Sequence, residues 1–288
     1  MSVASSGLSG RTIISRGWWG LSVACLVAVI GILFFVFAFV LAQGFPALLK
    51  PEIFFTTTHG IAGGLANAIV GTFMLVFGGL LLVVFVGLGT AIWAVEFAPP
   101  WGSRLIRFMV DVLAGIPSIV VGYFLYVSLV EMLGWGFSLV AGALALAIFM
   151  LPYVVRAADV ALTNVPRGLQ EGAVALGARP AMVVFSIAFP YALPGILTGL
   201  LVASGIGLGE TAPLIYTAGW SNYMPTLAPT HSPVGYLTYV VWTYISQPFD
   251  ESHQLAYAAA ALLMIFVFLT NLLARSFVEY KLNKGRSR

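Results

Sequence analysis

Few residues of this chain could do chemistry, and most of them stand in apolar surroundings. Arg156 lies in "MLPYVVRAADV", near the inner end of a long hydrophobic stretch. An ionisable residue at such a position marks a functional site by default. Its guanidinium could hold an oxyanion through two parallel hydrogen bonds, or reach outward to lipid headgroups on its apolar stem. Glu210 and Thr211 lie in "LGETAP", at the end of another apolar stretch. The carboxylate could accept a hydrogen bond from a protonated anion, pair with a cation on another chain, or sit solvated in an outer loop. The hydroxyl of Thr211 adds a donor and an acceptor. A third group is the polar segment "EGAVALGARPAMVVFSIAFP", residues 171–190. It carries Glu171, Gly172, Ala173, Gly177, Arg179 and Pro190 between two apolar runs. Pro166 suits the first turn of a helix, and Leu169, Ala173 and Leu176 recur at helical spacing. Gly177 then permits a left-handed C-terminal turn. A second helix is expected from about Arg179–Pro180. The result is a short helix–turn–helix at the mouth of a membrane body, with small residues that let another protein approach closely.

The elements that must position these groups are membrane helices. Of 288 residues, 60% are hydrophobic and 8% charged, with a mean hydropathy of +1.02. Soluble domains carry roughly a quarter charged residues, so this composition cannot cover a water-facing surface. The single cysteine, Cys25, excludes an intramolecular disulfide, and no Cys/His cluster suggests a metal. The sequence lacks a G-x-x-x-x-G-K-[ST] phosphate loop, so ATP hydrolysis by this chain is not expected. Its isoelectric point near 9.1 speaks to membrane topology and not to nucleic acid.

A span needs about 20 apolar residues. Six are expected, at about 19–42, 66–95, 112–132, 137–158, 183–208 and 255–278, with the mixed interval 220–250 as a loop holding short helices. The first apolar run is too long for a signal peptide and is read as an uncleaved span. Six spans put 12 of the 13 basic residues on one side, with only Lys50 opposite. By the positive-inside rule both termini are cytoplasmic. Trp18, Trp19, Trp93, Trp101, Trp135, Trp220 and Trp242 read as interfacial anchors. Residues 1–17 are expected to be a disordered cytoplasmic start, 18–60 the first span with an outer loop, 61–278 the core, and 279–288 a basic cytoplasmic tail. Asp111 is expected to cap the third span or to pair with Arg107 at i,i+4.

The segment 171–190 resembles the cytoplasmic loop of ABC importer permeases, written E-A-A-x3-G-x9-I-x-L-P. Glu171, Gly172, Ala173, Gly177, Ile187, Phe189 and Pro190 follow that spacing, with Gly172 in place of an Ala and Phe189 in place of a Leu. "NAIVGT", "LAGIPSIVVGYF", "MLPYVVRAADVALTNVP", "GETAPLIYTA", "SQPFDESHQLAYAAAALL" and "NLLAR" look like the permeases of phosphate-specific transport systems of the PstA type, in order over about residues 60–278. The resemblance implies an all-α polytopic fold of type I with six transmembrane helices and a cytoplasmic coupling loop at about 159–182. It implies that Glu171 and Gly177 dock on a separate ATPase and that Arg179 pairs with an acid there or stays solvated. Arg156, Glu210 and Thr211 would border the translocation path. Implied partners are a PstC-like permease, two copies of a PstB-like ATPase that uses ATP and Mg, and a PstS-like external phosphate-binding protein, in a bacterial plasma (inner) membrane. No cofactor is expected on this chain. The family stretch often has an Arg four residues before Glu210, where this chain has Ile206. A permease for another oxyanion or solute is the near alternative. An ion-coupled secondary transporter is the distant one, and it predicts inverted repeats and intramembrane acids that the sequence does not clearly show.

Overall fold

The computed structural model describes residues 6–60 and 62–286, with side chains over 14–60 and 62–276. Helix α1 (Ser6–Leu48) is followed by a short α2 (Glu52–Phe55) and a two-residue hairpin, β1 (Thr58–His59) pairing antiparallel with β2 (Ala62–Gly63). Then come α3 (Ala66–Ile92), α4 (Pro100–Gly115), α5 (Ser118–Leu125), α6 (Leu139–Thr163), α7 (Arg167–Ala175), α8 (Pro180–Val183), α9 (Phe189–Gly209), α10 (Ala212–Thr217), α11 (Leu237–Tyr244) and α12 (Asp250–Arg286). Wider π turns extend α3 to Phe97, extend α5 to Met132, and join α8 to α9.

Five of these helical stretches are long and apolar enough to cross a bilayer: Ile14–Leu48, Ala66–Phe97, Leu139–Thr163, Pro180–Gly209 and Asp250–Ser276. The sixth is a bent pair, α4 and α5 with its extension, meeting at 94°. Here the structure corrects the expected span 112–132. Pro117 has no N–H to continue the helix, and it drives Ile116 into extended backbone (φ −77°, ψ 126°). Residues 112–115 therefore belong to the amphipathic α4, which carries Arg104, Arg107 and Asp111. The part of this span that follows the bend is Ser118–Met132.

A second correction concerns the start of the chain. Residues 1–17 are not all irregular, because α1 begins at Ser6. Extending a helix that an apolar run has nucleated costs far less than starting one. Residues 1–5 lie outside the described ones. At the other end, α12 keeps helical backbone to Arg286, through most of the stretch expected as a tail.

Membrane helices lack a hydrophobic drive to associate, so close backbone approach through small residues holds them together. Helix α6 is the centre: 56% of its apolar window is buried, against none for α1. Gly79 of α3 packs on Met150 and Leu146, while Gly195 and Gly199 of α9 pack on Ala161 and Ala157 of α6. Gly205 lies against Thr270 and Asn271 of α12, and Gly207 against Met150, which assigns both to packing. Gly209 has open space beside it. Helix α1 touches the body chiefly at its C-terminal end, where Gly44 sits on Tyr257 and Ala261 and Phe39 meets Tyr257 edge-on at 5.9 Å.

Candidate functional site

The segment between α6 and α9 forms as its residues dictate. Helix α7 closes with two backbone bonds: Gly177 N–H donates to the Val174 carbonyl at 2.9 Å and Ala178 N–H to the Ala173 carbonyl at 3.0 Å. This pairing is a Schellman closure, and it requires a left-handed residue at position 177. Gly177 supplies it with φ +85°. Arg179 is then extended and Pro180 opens α8. Glu171, Gly172, Gly177 and Arg179 are all exposed, and Ala173 is half-buried. Leu176, at the tip, is 91% exposed, the highest value among the large hydrophobic side chains described. A leucine so placed covers nothing in its own chain. Pro190 sits where the wider π turn of Val184–Ala188 gives way to α9.

Behind this loop, between α7, α8 and the C-terminal end of α3, is a cavity of about 500 Å³ lined by Glu96, Gln170, Glu171, Val174, Pro180 and Val183. Gln170 donates to the Glu96 carboxylate. Sequence reasoning missed Glu96 and Gln170; an acid at the end of an apolar span was the available signal.

Arg156 is not a lone cation. Its Nη1 lies 3.3 Å from Oδ1 of Asp111 on α4. One turn along the same seam, Arg107 of α4 grips Asp159 of α6, with Nη2–Oδ1 at 2.9 Å and Nε at 3.2 Å from both oxygens. The expected Arg107–Asp111 pair along α4 is thus replaced by two pairs across helices. The i,i+4 spacing is right, but α4 turns this polar face onto α6, which offers closer partners. Asp159 had no assigned role from the sequence.

Glu210 and Thr211 lie elsewhere. Helix α9 runs antiparallel to α6, with Gly199 level with Ala157 and Gly207 level with Met150. At 1.5 Å per residue that ladder separates Glu210 from Arg156 by roughly 13 Å along the axes. The structure therefore does not bring the expected path residues together. Glu210 follows α9, half-buried, and Ser118 at the start of α5 donates to its carboxylate. Burial raises its proton affinity above the ordinary carboxylate range, and the Ser118 bond opposes that rise. The Glu210 carbonyl accepts from the Thr238 hydroxyl at 2.8 Å. Gly122 of α5 lets α10 approach so closely that a Cβ there would collide with Pro213. Ile206 is only partly buried, and places no charge between the two levels.

The fold is a helical membrane body with a helix–turn–helix protruding from one end. The family model for binding-protein-dependent transport system inner membrane components matches residues 90–280, and the chain belongs to that family. Among its relatives is the phosphate transport system permease protein PstA 2 of Mycobacterium tuberculosis, 42% identical over 265 residues, covering 92% of this chain and 88% of the relative. The phosphate transport system permease protein PstA of Haemophilus influenzae is 36% identical over 248 residues, 84% of this chain and 85% of its own. Solved structures share the fold at lower identity. A MetNI methionine ABC transporter aligns with TM-score 0.63 and 20% identity, over 75% of this chain and 95% of that chain. An amino acid ABC transporter aligns with TM-score 0.56 and 21% identity, over 75% and 92%.

Proposed function

We propose that this chain is a membrane-spanning subunit of an ATP-driven phosphate importer. The observation that carries the reading is the 42% identity over 92% of the chain to a phosphate permease. The protruding loop with its exposed Leu176 supports it independently. In this reading the core of about 61–278 pairs with a second, PstC-like permease. Two PstB-like ATPase subunits, which bind ATP and Mg, receive α7 and α8, and a PstS-like protein delivers phosphate from outside. Both termini and the loop face the cytoplasm, because that side holds 12 of the 13 basic residues. Glu171, Gly172, Ala173 and Gly177 form the docking surface, Arg179 pairs with an acid of the ATPase, and Pro190 lies within the span that the loop moves.

Phosphate carries one to two negative charges near neutral pH, so a pathway needs cationic or N–H groups that release as readily as they bind. Arg156 is the cation at the inner level and Glu210 with Thr211 the hydrogen-bonding group further out. ATP binding and hydrolysis on the partner alternate which level is open.

The test is uptake by proteoliposomes holding this chain with the subunits that co-purify with it, given labelled phosphate or labelled sulfate. ATP-dependent phosphate uptake is expected, with sulfate at background. It should be lost in Glu171→Lys while that variant still inserts. Sulfate uptake at an equal rate would break the substrate assignment. Uptake without an ATPase subunit would break the reading altogether.

A further inference from the structure

The two ion pairs between α4 and α6 are unequal. Arg107 and Asp159 form a forked, three-contact pair, and the Asp159 side chain is only 13% exposed. Arg156 and Asp111 share one contact of 3.3 Å, with side chains 55% and 57% exposed. Forked Arg–carboxylate geometry fixes position, whereas an open single contact is worth little to stability. Arg107 and Asp159 therefore already secure α4 to α6, with Val110, Val155 and Ile106 packed around them. Asp111 adds almost nothing to that attachment. What it does add is a negative charge beside Arg156.

Resting on the reading of Arg156 as the inner cation of the path, we infer that Asp111 is its exchangeable counter-ion, a positioning and affinity-setting residue that an incoming oxyanion displaces. Both groups carry charge, so an arriving anion gains the guanidinium only by outcompeting a carboxylate already there. The exchange lowers the affinity of the inner site and hastens release. The seam holds two cations and two anions, so it is electrically balanced when empty and carries excess negative charge when loaded. Repulsion from Asp111 then favours departure. Arg107, which secures the seam, has the forked geometry that Arg156 lacks.

The experiment uses the assembled transporter in proteoliposomes preloaded with inorganic phosphate, and reads the internal phosphate concentration that halves the initial rate of labelled phosphate uptake. In Asp111→Asn that concentration is expected to fall about two- to fivefold, the change an exposed ion pair of ordinary strength corresponds to, with a lower maximal rate. The charge swap Asp111→Arg with Arg156→Asp is expected to assemble yet not transport. An unchanged half-inhibition in Asp111→Asn overturns the inference. So does restored transport in the swap, or failure of Asp111→Asn to assemble, since either gives the pair a structural role. Arg156→Gln separates the premise: full transport there defeats the path reading itself, whatever Asp111 does.

Discussion

The two ends of this membrane body are built on opposite plans. At the end that holds the hairpin, polar groups are buried and paired with one another. Asn67 accepts at its Oδ1 from the Thr58 backbone N–H at 3.1 Å and the Thr58 hydroxyl at 3.0 Å, and its Nδ2 donates to the Ser221 carbonyl at 2.8 Å. The Thr72 hydroxyl, one helical turn on, accepts from Leu237 N–H at 2.9 Å. Gly71 lets the Gly235 carbonyl come so close that any Cβ would collide with it. Trp220 stacks on Tyr239 with centroids 4.5 Å apart. At the other end, α7 and α8 present Glu171, Arg179 and Leu176 to the outside, and Gly168, Gly172 and Gly177 have nothing within 4 Å of where a Cβ would stand. One end pairs its buried polar groups within the chain, the Tyr236 hydroxyl excepted, whereas the other offers a surface with nothing from its own chain on it. A buried polar group without a partner costs about 1–3 kcal/mol, so the first end resists change. The second end is open to being shaped by whatever docks there.

Two substitutions sharpen the contrast. The larger effect is expected from Gly71→Leu at the closed end: the backbone of residue 235 cannot yield to a side chain, and the detergent-solubilised protein should lose its folded peak in size-exclusion chromatography. A Gly71→Leu variant that runs as a sharp folded peak would break the picture of a self-sealed end. The smaller effect is expected from Gly172→Ala at the open end. The methyl meets open space, and alanine gains about 1 kcal/mol of helix propensity over glycine. Thermal unfolding of the isolated chain should stay level or rise slightly.

The open end was legible in the sequence because its determinants are local. Gly177 as the left-handed closure and Pro180 as the next start each depend on a few neighbours, and both stand where the spacing puts them. Long apolar runs likewise marked five helices directly. Pro117 lies in plain view, but its consequence depends on which side of it the chain can stay apolar, and the expected third span takes in residues 112–115, the last turn of the amphipathic α4. Pairing across helices was not legible. Arg107 satisfies the i,i+4 rule with Asp111, yet it bonds Asp159, 52 residues away, because rotation of α4 about its axis decides which acid it meets. Asn67 carried no signal of its reach to Ser221, 154 residues on, for the same reason.

The claim on which the account turns is that the exposed loop faces the cytoplasm and is covered there by an ATPase subunit. Leu176→Cys, made in a Cys25→Ser background that removes the single native thiol, tests it with a membrane-impermeant maleimide. No labelling is expected in intact cells, rapid labelling in inside-out vesicles stripped of the ATPase, and protection when the ATPase is added back. Labelling of intact cells, or equal labelling with and without the ATPase, would contradict it.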